Sequence, residues 1–126
     1  MDNKSNKIEI SGINAESGLD ICDGDVDIYI QSLRLYVSNM PAVLEKLRGV
    51  SEKTLRDYLI NVHGLKGMSE YIGAEEIRKT AKQLEAMSKE GDLAGVLAVN
   101  DSFIKSTENL ICGIQDWLNK YGSREN

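Results

Sequence analysis

Apolar residues recur along most of this chain at alternating steps of three and four, the period of a helix with one buried face. Val26, Ile30, Leu33, Val37, Met40, Leu44 and Leu47 form the first such stripe, opened by Asp25 as N-cap and stopped near Gly49. Pro41 falls inside it, removing a backbone donor and crowding the preceding turn, so a kink or split is expected near Asn39 and Met40. The second stripe is Leu55, Leu59 with Tyr58, Val62, Leu65, Ser69 and Ile72, with Ser51 as cap and Gly73 as terminator. A third helix over residues 74–90 opens with Glu75 and Glu76 at its positive end and buries Ile77, Ala81, Leu84 and Met87. After Gly91, Asp92 starts the last segment. Val96, Asn100, Phe103, Thr107, Leu110, Ile114, Trp117 and Tyr121 follow, widened by Leu97, Ile104, Ile111 and Leu118. The polar Asn100 and Thr107 suggest a break around residues 100–102.

Upstream, Asn14 caps a short helix from Ala15 to Cys22, and Asp23-Gly24 reads as a turn. Residues 8–13 are too short for a sheet and have no partner strand. The predicted fold is therefore all-α: an antiparallel four-helix bundle with a short additional N-terminal helix. Residues 1–8 are expected to be a flexible lead-in, 9–121 the bundle and 122–126 a polar tail. The 126 residues amount to one domain, without internal repeats or low-complexity tracts.

Composition narrows function by exclusion. With 15 Lys and Arg against 20 Asp and Glu, the net charge of -5 disfavours nucleic acid and anionic membranes, which reward basic surfaces. No apolar run is long enough for a membrane span, and the polar first residues lack the apolar core of a signal peptide, so the cytoplasm is the expected compartment. Cys22 and Cys112 form no metal-type pair, and two reduced thiols are the expected state.

The stretch with chemical content is residues 62–74. His63, the one histidine of the chain, shares a helix face with Lys66, Gly67 and Glu70, beside the inward-facing Val62, Leu65, Ser69 and Ile72. Two glycines in one helical turn, Gly64 and Gly67, weaken the helix by roughly 2 kcal/mol in total. Gly67 lies one turn from His63, where a missing side chain clears the approach of a bulky partner to the ring; Gly64 has no such ready account. A neutral imidazole offers a nitrogen lone pair as nucleophile, and Lys66 places a cation where a phosphoryl oxygen would arrive. Phosphoryl transfer asks chiefly for alignment and charge compensation. Taken singly, each of these residues reads as an ordinary solvated or small helix residue; in combination they do not.

Other chemistries fare worse. The chain has no phosphate-binding glycine loop and no kinase-like motif set, so it is not expected to phosphorylate itself from a nucleotide. A di-iron bundle needs Glu-x-x-His on two helices, whereas one histidine is present and Ile60 stands where its Glu would be. No nucleophile elbow accompanies the serines.

His63, Leu65, Lys66, Gly67, Ser69 and Gly73 stand in the order and spacing that mark the histidine-containing phosphotransfer (HPt) family, which this sequence resembles from about Ile8 to Tyr121. Gly12-Ile13-Asn14, Gly18-Leu19, Gly24-Asp25 and Tyr29 resemble the segment before the first long helix of such domains. Leu84-Glu85 followed by Gly91-Asp92 resembles a later helix and its turn. The resemblance implies that His63 accepts a phosphoryl group from the phosphoaspartate of a response-regulator receiver domain and passes it to another receiver. Lys66 would stabilise the phosphoryl charge and Gly67 would admit the partner. It implies no intrinsic cofactor, since magnesium would come from the receiver. The expected partners are receivers or a hybrid sensor histidine kinase, met by a monomer. Ile60, Gly64, Met68 and Glu70 flank the histidine as candidate docking residues. Some family members place a Gln on the facing helix to support the histidine; the corresponding residue here is Glu85, which would orient a neutral imidazole yet repel its phosphorylated form. The alternative is a helical binding module that docks receiver or kinase domains without phosphoryl chemistry.

Overall fold

A computed structural model describes residues 8–125, with side chains through Tyr121. Of the expected lead-in over residues 1–8, residues 1–7 lie outside the described part, as do the tail side chains from residue 122, whereas Ile8 belongs to the buried core. Five helices follow in order: α1 (Ala15–Ile21), α2 (Val26–Leu47), α3 (Leu55–Ile72), α4 (Glu75–Lys89) and α5 (Leu93–Glu125). The four long ones form the ring of an antiparallel bundle. α2 packs on α3, α3 on α4, α4 on α5, and α5 closes back on α2; α1 lies across α3 and α2. Ile8 and Ile10, ahead of α1, are also buried in the core.

Asn14 and Asp25 cap their helices as read from the sequence, and Asp92, read there as the start of the last segment, also serves as a cap. The side chains of Asn14, Asp25 and Asp92 accept hydrogen bonds from the backbone N–H groups of Ser17, Ile28 and Gly95 at 3.1, 3.1 and 2.9 Å. Ser51 does not cap α3. Its N–H instead donates to Thr54 Oγ1 at 2.8 Å, tightening a turn that delays the helix until Leu55.

Neither helix is split where an interruption is expected. α2 remains helical through Pro41, which sits at an exposed position. α5 passes through residues 100–102 without a break, and its buried polar groups find partners, those of Asn100 on other helices and that of Thr107 within α5 itself. Asn100 Nδ2 donates to the Leu47 carbonyl at 2.9 Å, and Asn100 Oδ1 accepts from the Tyr58 hydroxyl at 2.7 Å. Thr107 Oγ1 donates to the Phe103 carbonyl at 2.9 Å. Tyr58→Phe would leave the Asn100 oxygen without its donor in the core. It should lower unfolding free energy by about 1–3 kcal/mol, read as a lower denaturant midpoint at unchanged m-value.

The stripe on α2 also differs from its periodic reading. Tyr29 and Tyr36 are fully buried, whereas Val26 and Val37 are half-buried. The rings fill the space between α2 and α3 and each hydroxyl finds a partner there: Tyr29 donates to the Ile72 carbonyl at 2.7 Å, and Tyr36 shares a 2.8 Å hydrogen bond with Ser69 Oγ. Burial pushes the Tyr36 phenol up to about 12, so it keeps its proton. On α5, Leu97 is exposed and does not widen the stripe.

The end of α3 is fixed by close approach. Gly73 adopts φ 83°, and a Cβ there would run into the Asn14 carbonyl. Asn14 N–H donates to the Gly73 carbonyl at 2.8 Å. Across the same junction, a Cβ on Gly18 of α1 would collide with the Tyr29 ring and lie 3.1 Å from the Ile72 carbonyl. α1 and the head of α2 thus clamp the C-terminus of the helix that carries His63.

Candidate functional site

α3 divides its residues between two faces. Tyr58, Val62, Leu65, Ser69 and Ile72 are buried, while Ile60, His63, Gly64, Gly67, Glu70 and Tyr71 face solvent. The His63 side chain is 66% exposed, in the middle of this outer face. A Cβ added to Gly64 or to Gly67 would meet nothing within 4 Å. Packing inside the chain therefore explains neither glycine, and both leave backbone bare beside the ring. For Gly64, which the sequence left without an account, the finding is the same as for Gly67.

One edge of the imidazole is held from the next helix. Glu85 on α4 is only 6% exposed, and its Oε2 lies 2.5 Å from His63 Nδ1. Lys66 Nζ donates to the other carboxylate oxygen, Oε1, at 2.7 Å. The Lys66 ammonium, with His63 beside it, holds the Glu85 carboxyl below the ordinary carboxylate range, against the opposing effect of burial. An ionised carboxylate only accepts hydrogen bonds, so Nδ1 carries the hydrogen and the lone pair resides on Nε2, at the opposite end of the ring. Lys66 is accordingly not a free surface cation; it is tilted toward α4 and tethered to Glu85 within reach of the ring. Lys89, one turn beyond Glu85, brings a second ammonium to 3.9 Å from Oε2. Sequence reading passed over it, although the i,i+4 spacing from Glu85 was available as a signal.

The pairing has a sign that can be checked. Because the folded carboxyl titrates below its unfolded value, the contribution of ionised Glu85 is complete above about pH 4.3, the ordinary glutamate value, and is lost as pH falls through the lowered folded value. A carboxyl carbon titration by NMR should give Glu85 a midpoint below that ordinary value. A midpoint at or above it would mean that Lys66 does not hold the carboxylate in solution.

The remaining candidates surround the ring unevenly. Ile60 is 65% exposed, one turn before His63 on the outer face. Met68 is half-buried and packs partly against the core. Glu70 is exposed, at the edge of a groove shared with Ser17, Ile21 and Arg78. Tyr71, one turn past Gly67 and 41% exposed, extends the same face and was not singled out from sequence. Among the described residues no group of three or more His, Cys, Asp or Glu is placed to hold a metal ion, and no helix is long and apolar enough to cross a membrane. Cys22 and Cys112 are free thiols.

A four-helix bundle with a solvent-facing histidine supported from the neighbouring helix is the architecture of a phosphotransfer module, and comparison with known proteins agrees. The pattern defining the Hpt domain matches residues 31–118, so the chain belongs to the Hpt domain family, whose business is histidine phosphotransfer in phosphorelays. Among curated proteins it is similar to the phosphorelay intermediate protein rdeA of Dictyostelium discoideum, 26% identical over 99 residues. The aligned part covers 78% of this chain and 39% of that protein, so the chain spans well under half of its relative's length. No solved structure matches significantly.

Proposed function

We propose that His63 is the phosphoacceptor and that its Nε2 takes the phosphoryl group from a phosphoaspartate of a receiver domain, then yields it to the aspartate of another. The observation that carries this reading is the ring's placement: one nitrogen is tied to a buried carboxylate, and the other end of a largely exposed imidazole faces outward across two bare glycines. In the forward step the Nε2 lone pair bonds to phosphorus while the bond to the aspartyl oxygen breaks with its electrons. Lys66, and Lys89 beyond it, supply positive charge at the arriving oxygens. Lysine suits this task because its ammonium is a compact charge on a flexible stem that can leave Glu85 for a closer anion.

The docking face would run along α3 through Ile60, Gly64, Gly67 and Tyr71, with Met68 and Glu70 at its margins. Magnesium belongs to the receiver in this scheme, and the chain acts as a monomeric carrier in the cytoplasm without kinase activity of its own. Receivers, including one within a hybrid sensor kinase, are the partners. Incubation with a receiver phosphorylated on its aspartate tests the proposal. The carrier acquires a phosphate that is labile to acid and stable to base, whereas a module that merely docks receivers binds and acquires none.

A further inference from the structure

His63 and Glu85 remain in contact whatever happens at the far side of the ring, and that contact bears on how readily the phosphoryl group leaves. Attack by the Nε2 lone pair gives a ring that is positively charged, with hydrogen on Nδ1 and phosphorus on Nε2. Loss of the Nδ1 proton would convert it to a neutral phosphoimidazole whose departure would require expulsion of an imidazolide anion. While the proton stays, the leaving group is a neutral imidazole. We infer that Glu85 keeps the proton on Nδ1 of phosphorylated His63 and so holds the carrier in its transfer-ready form through neutral pH. The inference rests on the reading of His63 as phosphoacceptor and goes beyond it by giving Glu85 a positioning and proton-retaining role.

The geometry supports this in three ways. Oε2 is 2.5 Å from Nδ1 and accepts from it. The carboxylate cannot readily turn away, because Glu85 is buried and Lys66 anchors Oε1 at 2.7 Å. An ionised carboxylate has no hydrogen to offer a bare Nδ1, so it stabilises the protonated ring alone. A glutamine amide at this place would differ on the last point, since its oxygen accepts from Nδ1–H and its NH2 donates equally well to the deprotonated nitrogen. The charged groups facing Glu85 are His63 and Lys66 from α3 and Lys89 from its own helix. α5, the other helix packed on α4, contributes no ion pair or hydrogen bond to it among the described residues. The repulsion between Glu85 and phosphorylated His63 expected from the sequence is thereby corrected: the ring itself is cationic while Nδ1 keeps its hydrogen, and both ammoniums are near enough to offset the incoming phosphoryl charge. The outgoing step balances without a further reactant: the P–N bond breaks, its electron pair returns to Nε2, phosphorus bonds to the acceptor carboxylate oxygen, and the Nδ1 hydrogen stays in place.

The test charges the protein with phosphoramidate, a small N–P donor that needs no receiver, and follows ring nitrogens and phosphorus by NMR between about pH 5 and 9. In the wild-type phosphoprotein Nδ1 should remain protonated above neutrality, and loss of phosphate should slow only at higher pH. In Glu85→Gln both transitions should move down by about one pH unit or more, the scale of removing a close opposite charge. A bare Nδ1 in the wild-type phosphoprotein at neutral pH, a reading that needs no variant, overturns the inference, as do superimposable profiles in the two proteins. Where phosphoramidate leaves His63 unlabelled, an aspartate-phosphorylated receiver charges it for the same measurement, and failure of both donors overturns the carrier reading first and this inference with it.

Discussion

His63→Gln should end phosphoryl acceptance while leaving the bundle folded. The side chain is two-thirds solvent-exposed on α3 and contributes nothing to the core, so the melting temperature should stay within the small range of surface substitutions. Glutamine retains a polar side chain of similar reach but has no nitrogen lone pair of comparable nucleophilicity, and the chain holds no second histidine to take over. Incubated with an aspartate-phosphorylated receiver, the variant should gain no acid-labile phosphate over a period that saturates wild type. Residual labelling of the same chemical character would place the acceptor elsewhere and remove the role given to this ring.

Gly67→Leu should move stability and function in opposite directions. Gly67 lies in a regular helix, and a Cβ there meets nothing within 4 Å, so leucine relieves the helical cost of glycine and raises stability by about 0.5–1 kcal/mol. The same side chain would stand one turn from His63, across the path by which a receiver brings its aspartate into line with Nε2. Transfer should fall by roughly a hundredfold, which corresponds to about 2.7 kcal/mol of transition-state free energy. Alanine in the same place should show the stability gain with a smaller loss of rate. Undiminished transfer in the leucine variant would mean that a receiver does not approach over this glycine, and that the two bare positions serve another purpose.

Much of the site was legible because it is local. His63, Lys66, Gly67 and Ser69 fall within two turns of one helix, so spacing alone places the first three on an outer face and the last inward. What the sequence could not supply is the partner across the helix boundary. Glu85 emerged through family resemblance, and nothing in its neighbourhood revealed that it would grip both Nδ1 of His63 and the Lys66 ammonium. Spacing places the Lys66 cation beside the ring but does not reveal its tether to Glu85. The role of Ser69 likewise needed α2: its small hydroxyl side chain makes room for Tyr36, whose buried hydroxyl meets it at 2.8 Å.

The fold shows the same division. Helices with strong apolar periods, and the caps at Asn14 and Asp25, are plain from their own residues. The expected splits both come from treating a local irregularity as decisive. Asn100 in an apolar stripe looks like an interruption until Tyr58 and Leu47 arrive from elsewhere to satisfy it. Pro41 removes one backbone donor from its helix, yet it lies at an exposed position and α2 continues through it.

The junction around Gly73 carries a practical lesson about where the folding unit begins. The recognisable family pattern starts at residue 31, partway along α2, yet Asn14, Gly18 and Tyr29 all bear on the last turn of α3, and Ile8 and Ile10 are packed inside. A fragment trimmed to the recognisable stretch would uncover the Ile72 carbonyl and strip the seat from beneath Gly73. Such a truncation would retain the imidazole and its carboxylate while loosening the rod on which the former is mounted. Shared ancestry is written in fewer residues here than self-assembly requires.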